Sequence, residues 1–447
     1  MSHYAGIEEI WDAFQRAGQR VTTDSRTLKA GDLFFALKGD RFNGHDFVPQ
    51  ALDAGVTAVV VDELQEGIYD PRCLRVPGVR QALQQLAGYY RRRMDRLTVI
   101  GITGSNGKTT TKELVQAVLA THYRTHATLG NLNNSIGVPL TLLSMPPDTE
   151  FCVVEMGANH PGEVMPLCEI ADPDVGVVTT IGKEHLEGFG TLEAILETET
   201  ELYAYLGRRH RQAFVPLEVA ELVQEALRWC TAPAPMYYGV GKEADCVGRL
   251  LPGEWTVRLQ WENSYRLMLR APQVETRLFG DYNLSNILAA ACIGRFFSVP
   301  YAKINQALAD YTPSMNRSQL IYRDGRRIIL DAYNANPHSM QRAVAGLAAL
   351  PAGVARVALL GDMMELGAAA DEEHALLLRQ LQSTDLEAAC LCGPLFMKHQ
   401  AAFPEFEFYP GVQALLDAQR LRRLSPHCAV LVKGSRSMTM ERCLEGL

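Results

Sequence analysis

The stretch Ile100-Gly101-Ile102-Thr103-Gly104-Ser105-Asn106-Gly107-Lys108-Thr109-Thr110-Thr111 limits what this chain can fold into more than any other. An apolar run from Leu97 to Ile102 leads into two glycines spaced by Ser-Asn, then a lysine and three threonines. An amphipathic run follows, with Leu114, Val115, Val118 and Leu119 on one helical face. That is strand, glycine-rich turn, helix. In such a turn, backbone N–H groups and the positive end of the helix converge on one spot, where a triphosphate finds its charge matched. Gly104, Ser105, Asn106, Gly107, Lys108, Thr109 and Thr110 are therefore the expected cradle. Lys108 reaches the β- and γ-phosphates in this reading, and the Thr109 hydroxyl holds Mg²⁺. The general pattern wants its first glycine where Ile102 stands; here it falls at Gly104, which implies a tighter loop.

What the nucleotide is used for has to come from the rest of the chain. At 447 residues the chain is too long for one ordinary core, so several domains are expected. The balance of 43 Lys and Arg against 51 Asp and Glu gives no reason to expect nucleic acid or an anionic membrane as partner. The basic clusters Arg91-Arg92-Arg93 and Arg208-Arg209-His210-Arg211 end helix-like segments and read as solvated surface. Ten scattered cysteines without a Cys-x-x-Cys pair are the pattern of reduced, mostly buried thiols. The first residues lack the basic and apolar regions of a signal peptide, and no apolar run approaches a membrane span. A cytoplasmic enzyme, not inserted in a membrane, is the expectation.

The pattern of elements reads as α/β in three domains. Residues 1–96 form a small N-terminal α/β domain, with strands at Asp32–Leu37 and Thr57–Val61, helices at Phe47–Ala54 and Val79–Arg93, and turns at Lys38-Gly39-Asp40 and Asn43-Gly44-His45. Residues 97–312 form a central P-loop-type parallel sheet, with apolar strands at Phe151–Gly157 and Asp174–Thr180. Glu155 ends the first of these, at the edge where ligands gather in such sheets, although a carboxylate there can also cap a following helix. Tyr237–Phe279, with its run Trp255–Trp261, reads as an antiparallel patch, and Gly280–Asn286 leads into an Ala-rich helix. Residues 313–447 form a C-terminal Rossmann-like domain without a Gly-x-Gly-x-x-Gly fingerprint. Its strands fall at Arg327–Asp331, Arg356–Gly361, Glu387–Cys392 and Ala429–Lys433, with a helix from His338.

Together these stations resemble the Mur ligase family of ATP-dependent amide-forming enzymes over nearly the whole chain. The resemblance is carried by Thr103–Thr110, Glu155-Met156-Gly157, His185-Leu186-Glu187, Asn283-Leu284-Ser285-Asn286, Arg317 and the turn at Asp331. Asp24-Ser25-Arg26, Gly130–Pro139, His185–Gly190, Asp331–Pro337 and Leu360–Gly367 are similar to the branch that adds D-alanyl-D-alanine. The resemblance implies ATP and Mg²⁺ as cofactors, and UDP-N-acetylmuramoyl-tripeptide and D-alanyl-D-alanine as substrates of a monomeric enzyme of peptidoglycan precursor synthesis. A peptide carboxylate attacks the γ-phosphate, and the dipeptide amine then displaces phosphate from the acyl phosphate. Two anions meet in that step, so Lys108, Mg²⁺ and Arg317 are expected to neutralise the transferring group. The resemblance further places Mg²⁺ at Thr109 and Glu155, a second Mg²⁺ at His185, adenine at Asn286 and the ribose at Asp331. It places the UDP end at Ser25 and Arg26, sugar or peptide near Asn133 and Asn134, and the dipeptide carboxylate around Asn336, Lys433, Ser435 and Arg436. Lys433–Arg436 also reads as a plain surface loop.

One departure stands out. Most of the family has a lysine about fourteen residues after the histidine, carbamylated so that it bridges to the second Mg²⁺, whereas here Glu199 occupies that place in a run without lysine, Glu197–Glu201. Either Glu199 supplies the negative charge directly, without dissolved CO₂, or the run is a solvated acidic helix face. Three alternatives remain at this stage: a Mur ligase adding another amino acid, a folylpolyglutamate synthase-like ligase, and a non-catalytic ATP-binding module.

Overall fold

The computed structural model describes residues 4–39, 42–63, 70–253, 255–263 and 273–447. The expected turn at Lys38-Gly39-Asp40 thus reaches outside the described residues at Asp40, and the patch at Tyr237–Phe279 does so over 264–272. By packing, the chain divides into two compact units. The first comprises Met1–Gly101, Tyr123–Gly157 and Val164–Gly176; the second comprises Ile102–His122, Ala158–Glu163 and Val177–Leu447.

Four sheets form. A four-stranded parallel sheet runs in the order Val21–Thr22, Leu33–Phe35, Ala58–Val61, Cys73–Arg75. Its middle strands are apolar at every position and buried throughout, as strands covered on both faces must be. Lys38–Gly39 and Phe42–Asn43 make a two-stranded ribbon. Gly44, just after it, lies so close to the preceding strand end that a Cβ there would sit 2.6 Å from the Leu37 carbonyl oxygen. In the same unit, Arg91 departs from the solvated-surface reading of its cluster, in which Arg92 and Arg93 are exposed. It is buried, and its guanidinium donates to Asp174 Oδ2 at 2.7 Å, the same oxygen that takes the Val99 N–H at 2.8 Å.

A nine-stranded sheet runs Val274–Glu275, Arg258–Asn263, Cys246–Leu251, Met236–Gly239, Gln212–Pro216, Val175–Val178, Thr98–Thr103, Phe151–Glu155, Thr125–Ala127. Met236–Gly239 pairs parallel on both sides, so the antiparallel patch is shorter than expected and begins at Cys246–Leu251. The run Trp255–Trp261 enters its strand only at Arg258. The third large sheet, in the second unit, is ordered Gln319–Arg323, Arg326–Asp331, Ala429–Lys433, Arg356–Gly361, Ala388–Cys392, Glu407–Tyr409. It is parallel except for the first strand, which forms a hairpin with the second. Helices cover both its faces, with Met340, Val344, Leu347, Leu377, Leu378 and Leu381 in one of the two core layers. All ten cysteines are free and nine are buried. No helix among the described residues is long and apolar enough to cross a membrane.

Candidate active site

The strand Thr98–Thr103 ends in Gly104 with φ +118°, and the helix Lys108–Ala120 starts from Gly107 with φ +87°, so both loop glycines sit in conformations that a side chain rarely adopts. Space forbids a side chain as well. A Cβ on Gly104 would lie 2.4 Å from Thr179 Oγ1, and one on Gly107 would lie 2.5 Å from Asn286 Oδ1. The loop is tied to the neighbouring strand end, with Ser105 N–H donating to Thr180 O at 2.8 Å and Asn106 N–H to Thr180 Oγ1 at 2.9 Å. The Gly104 N–H donates to Glu199 at 2.7 Å. These three N–H groups are therefore engaged within the chain. The donors at the head of the helix, which precede its bond from Thr111 N–H to Gly107 O, are placed as in any helix N-terminus suited to an anion. The helix buries Leu114, Val115, Val118 and Leu119, the face expected from their spacing.

Lys108 folds back over the loop, donating to the Gly104 and Ser105 carbonyls and lying 3.5 Å from Glu184 Oε2. Glu184, which the sequence reading left without a role, is buried; desolvation pushes its carboxyl up to about 7, Lys108 pulls it back and the charge of Glu199 adds to the rise. Glu199 is fully buried, so the solvated-face reading fails for it while Glu197 remains exposed. Its Oε2 accepts from the Thr103 hydroxyl and the Gly104 N–H. Glu184 Oε1 and Glu199 Oε1 are buried and accept no hydrogen bond among the described residues. Two buried carboxylates with an unanswered oxygen each, one beside Lys108 and one on the Gly104 N–H, supply oxygen donors suited to a hard divalent cation. No group of three His, Cys, Asp or Glu among the described residues forms a ready metal cage.

His185 follows Glu184 in a left-handed turn, φ +44°. Its Nδ1 lies 2.6 Å from Glu365 Oε2, and the Glu187 N–H donates to the Glu365 carbonyl at 3.1 Å. Burial lowers the imidazole's proton affinity, but Glu365 and Glu184 outweigh it and the net direction is upward. Glu155, in the first unit, is buried; its Oε1 accepts from Asn133 Nδ2 at 2.9 Å and its N–H donates to Thr128 Oγ1 at 3.0 Å. The next helix begins only at Val164, so Glu155 does not cap it. Models of the Mur ligase catalytic, middle and glutamate ligase domains match residues 19–91, 102–294 and 316–436 respectively. The chain belongs to the Mur ligase family.

Among relatives of this Mur ligase, the UDP-N-acetylmuramoyl-tripeptide–D-alanyl-D-alanine ligase of Bacillus subtilis is 34% identical over 440 residues, 96% of this chain and 92% of that one. A crystal structure of MurF from Acinetobacter baumannii superposes with a TM-score of 0.85 at 29% identity, covering 97% of each chain. The MurF ligase from Thermotoga maritima in complex with ADP gives the same score, identity and coverage.

The Mur ligase places its remaining expected residues as follows. Asn286 accepts from Thr111 Oγ1 at 3.1 Å and donates to Asn283 at 2.9 Å, which locks it against the loop helix. Arg317 stacks on Tyr333, with Cζ 3.7 Å from the ring centroid. Asp331 ends its strand and takes the Ser318 N–H at 3.0 Å and the Lys433 ammonium at 2.7 Å. Lys433 also donates to Asn334 O at 2.9 Å, and Ser435 Oγ accepts the Met364 N–H at 2.9 Å; both residues are buried. Asn336 caps the helix Pro337–Ala348 and donates to Asn106 Oδ1 of the phosphate loop at 2.9 Å. Of the four dipeptide candidates, Arg436 is exposed, paired with Glu441 at 3.1 Å. In the first unit Ser25 opens a short 3₁₀ turn capped by Asp24, and exposed Arg26 lies 2.6 Å from Asp24, whose carboxyl it holds down at about 2. Asn134 closes its own turn by accepting from Ile136 and Gly137 N–H. Four residues were given no role of their own by the sequence reading: Glu184, Glu365 and Tyr333, which lie within its motifs or beside them, and Glu113. Glu113, on the loop helix, accepts from the Tyr311 hydroxyl at 2.6 Å and the Ser314 hydroxyl at 3.4 Å.

Proposed function

We propose that this Mur ligase joins D-alanyl-D-alanine to the peptide carboxylate of UDP-N-acetylmuramoyl-tripeptide at the expense of ATP, releasing ADP and phosphate. The observation that carries this reading is a phosphate loop held by two buried carboxylates, Glu184 at 3.5 Å from its lysine and Glu199 on its Gly104 N–H, in a chain similar along almost its full length to ligases of that specificity. A carboxylate oxygen of the tripeptide attacks the γ-phosphorus and the bond to the ADP oxygen breaks, giving an acyl phosphate. The dipeptide amine then attacks the acyl carbon, loses a proton and expels phosphate.

Gly104–Thr110 hold the triphosphate, Lys108 and Arg317 neutralise the transferring phosphoryl group, Asn286 meets the adenine and Asp331 the ribose. Thr109, Glu155 and His185 would hold Mg²⁺, which would supply charge neutralisation to the phosphates and the incoming carboxylate. Glu199 stands in for the carbamylated lysine of the family, a role supported by its burial, its hold on the loop and its unanswered Oε1. Ser25, Arg26, Asn133 and Asn134 serve the nucleotide-sugar substrate. Arg436 receives the dipeptide carboxylate, on a wall built by Asn336, Lys433 and Ser435. The working division into domains is 1–96, 97–312 and 313–447, supported by the three matched ranges. The enzyme acts as a cytoplasmic monomer in this reading, which its ten free cysteines suit and sedimentation tests.

The decisive assay measures ADP release with UDP-N-acetylmuramoyl-tripeptide, offering D-alanyl-D-alanine against single amino acids. Turnover is expected with the dipeptide alone. ADP formation with a single amino acid or a folate instead would reassign the substrate, and none with any acceptor would leave a nucleotide-binding module.

A further inference from the structure

We infer that Tyr333 is a positioning residue that sets the plane of the Arg317 guanidinium, an inference that rests on the role proposed for Arg317 in phosphoryl transfer. Arg317 lies with Cζ 3.7 Å from the Tyr333 ring centroid, the distance of a stacked pair. Its Nε is buried and makes no hydrogen bond among the described residues, so the aromatic face, rather than a carboxylate, holds it. Arg436 shows the contrast: its Cζ is 5.9 Å from the same ring, and Glu441 pairs with it at 3.1 Å.

The choice of partner has a chemical consequence. A carboxylate would occupy the guanidinium's in-plane N–H donors and cancel its charge. Stacking on a ring face uses none of the in-plane donors, which leaves them for phosphoryl oxygens while fixing the plane in which they lie. The backbone repeats the arrangement. Met315, Asn316 and Ser318 all have positive φ, +55°, +57° and +47°, so the arm that bears Arg317 is bent in a conformation that needs outside support. That support comes from the turn that carries Tyr333: the Ser318 N–H donates to Asp331 Oδ1 at 3.0 Å, and Lys433 holds the other carboxylate oxygen at 2.7 Å. The arm is thus fixed at its backbone by Asp331 and at its side chain by Tyr333, two residues on.

The test compares Tyr333→Leu and Tyr333→Phe, each alone and with Arg317→Lys, which keeps the charge but not the planar face. kcat and KM for ATP are read from ADP release, with a melting curve for each variant. Tyr333→Leu is expected to lower kcat about tenfold while KM for ATP moves less than twofold, Tyr333→Phe to restore kcat, and Tyr333→Leu to add less than twofold in the Arg317→Lys background. An unchanged kcat in Tyr333→Leu while Arg317→Ala loses activity overturns the inference and leaves the Arg317 role standing. An unchanged kcat in Arg317→Ala overturns that role itself. An equal loss in the Arg317→Lys background, or a Tyr333→Phe as slow as Tyr333→Leu, assigns Tyr333 to something other than the guanidinium and overturns the inference as well.

Discussion

Glu184, beside Lys108, and Glu199, on the Gly104 N–H, are both buried, and the two carboxylates answer to different tests. Replacing Glu199 by Gln keeps an acceptor for the Gly104 N–H and the Thr103 hydroxyl but removes the charge. The expected outcome is at least a tenfold fall in ligation rate and a higher Mg²⁺ requirement, while the parent enzyme is indifferent to removal of bicarbonate; an unchanged rate and metal requirement would sink the bridging role. Glu184 bears on stability. Desolvation raises its folded pKa to about 7, above the unfolded value of roughly 4.3, with Lys108 opposing and Glu199 reinforcing the shift. Its contribution is therefore fully present below the unfolded value and is lost as pH rises through about 7. In metal-free protein, urea unfolding should show Glu184→Gln gaining stability relative to the parent between pH 5 and pH 8; parallel pH curves would contradict this. At this scale the sequence was legible where the chemistry is local. The two loop glycines, Lys108 and the threonines follow one another, so strand, turn and helix could be read directly. Glu184, Glu365 and Tyr333 could not, because each matters through a partner brought near only by the fold: Lys108 and Glu184 are 76 residues apart.

Elements were legible when their apolar runs were unbroken. Arg356–Gly361, Ala388–Cys392 and Ala429–Lys433 are buried at every position, and their strands fall within two residues of the expected bounds. Direction was less legible. The run Met236–Gly239 carries no mark that distinguishes a parallel strand from an antiparallel one, since hydrogen-bond register belongs to the pair and not to the strand. Close approach between elements was equally hidden. The helix Glu201–Arg208 meets the end of the helix Ala220–Trp229 at Gly207, where a Cβ would lie 2.0 Å from the Trp229 carbonyl oxygen. Gly207→Ala should therefore destabilise the protein by about 1–3 kcal/mol. Gly411→Ala is the control, since nothing lies within 4 Å of its Cβ. Thermal melting of the two variants side by side checks this, and equal melting temperatures would show that the two helices can move apart freely.

For the molecule as a whole, the cysteines give a simple reporter of packing. Burial pushes the thiols of Cys152, Cys390 and Cys443 up to about 12, whereas Cys73 is the one half-buried cysteine among the ten. Labelling the native protein with iodoacetamide, followed by mass spectrometry, is expected to modify Cys73 first and the other nine only after denaturant is added. Fast modification of any buried cysteine in native buffer would mean that its core layer opens.

The carboxylate of Glu113 has a consequence for movement. The loop helix that heads the phosphate site and the chain segment that leads to Arg317 share this one side chain, through the Tyr311 and Ser314 hydroxyls. The segment is thereby moored at Ser314, and the next ties after it are the Ser318 N–H on Asp331 and the Arg317 guanidinium on Tyr333. Arg317 consequently sits on a short tether, from Ser314 to Ser318, that is moored at both ends. Its reach is a matter of arm length rather than of diffusion, and a single inserted residue in that tether would alter where the guanidinium arrives more than any change of charge around it.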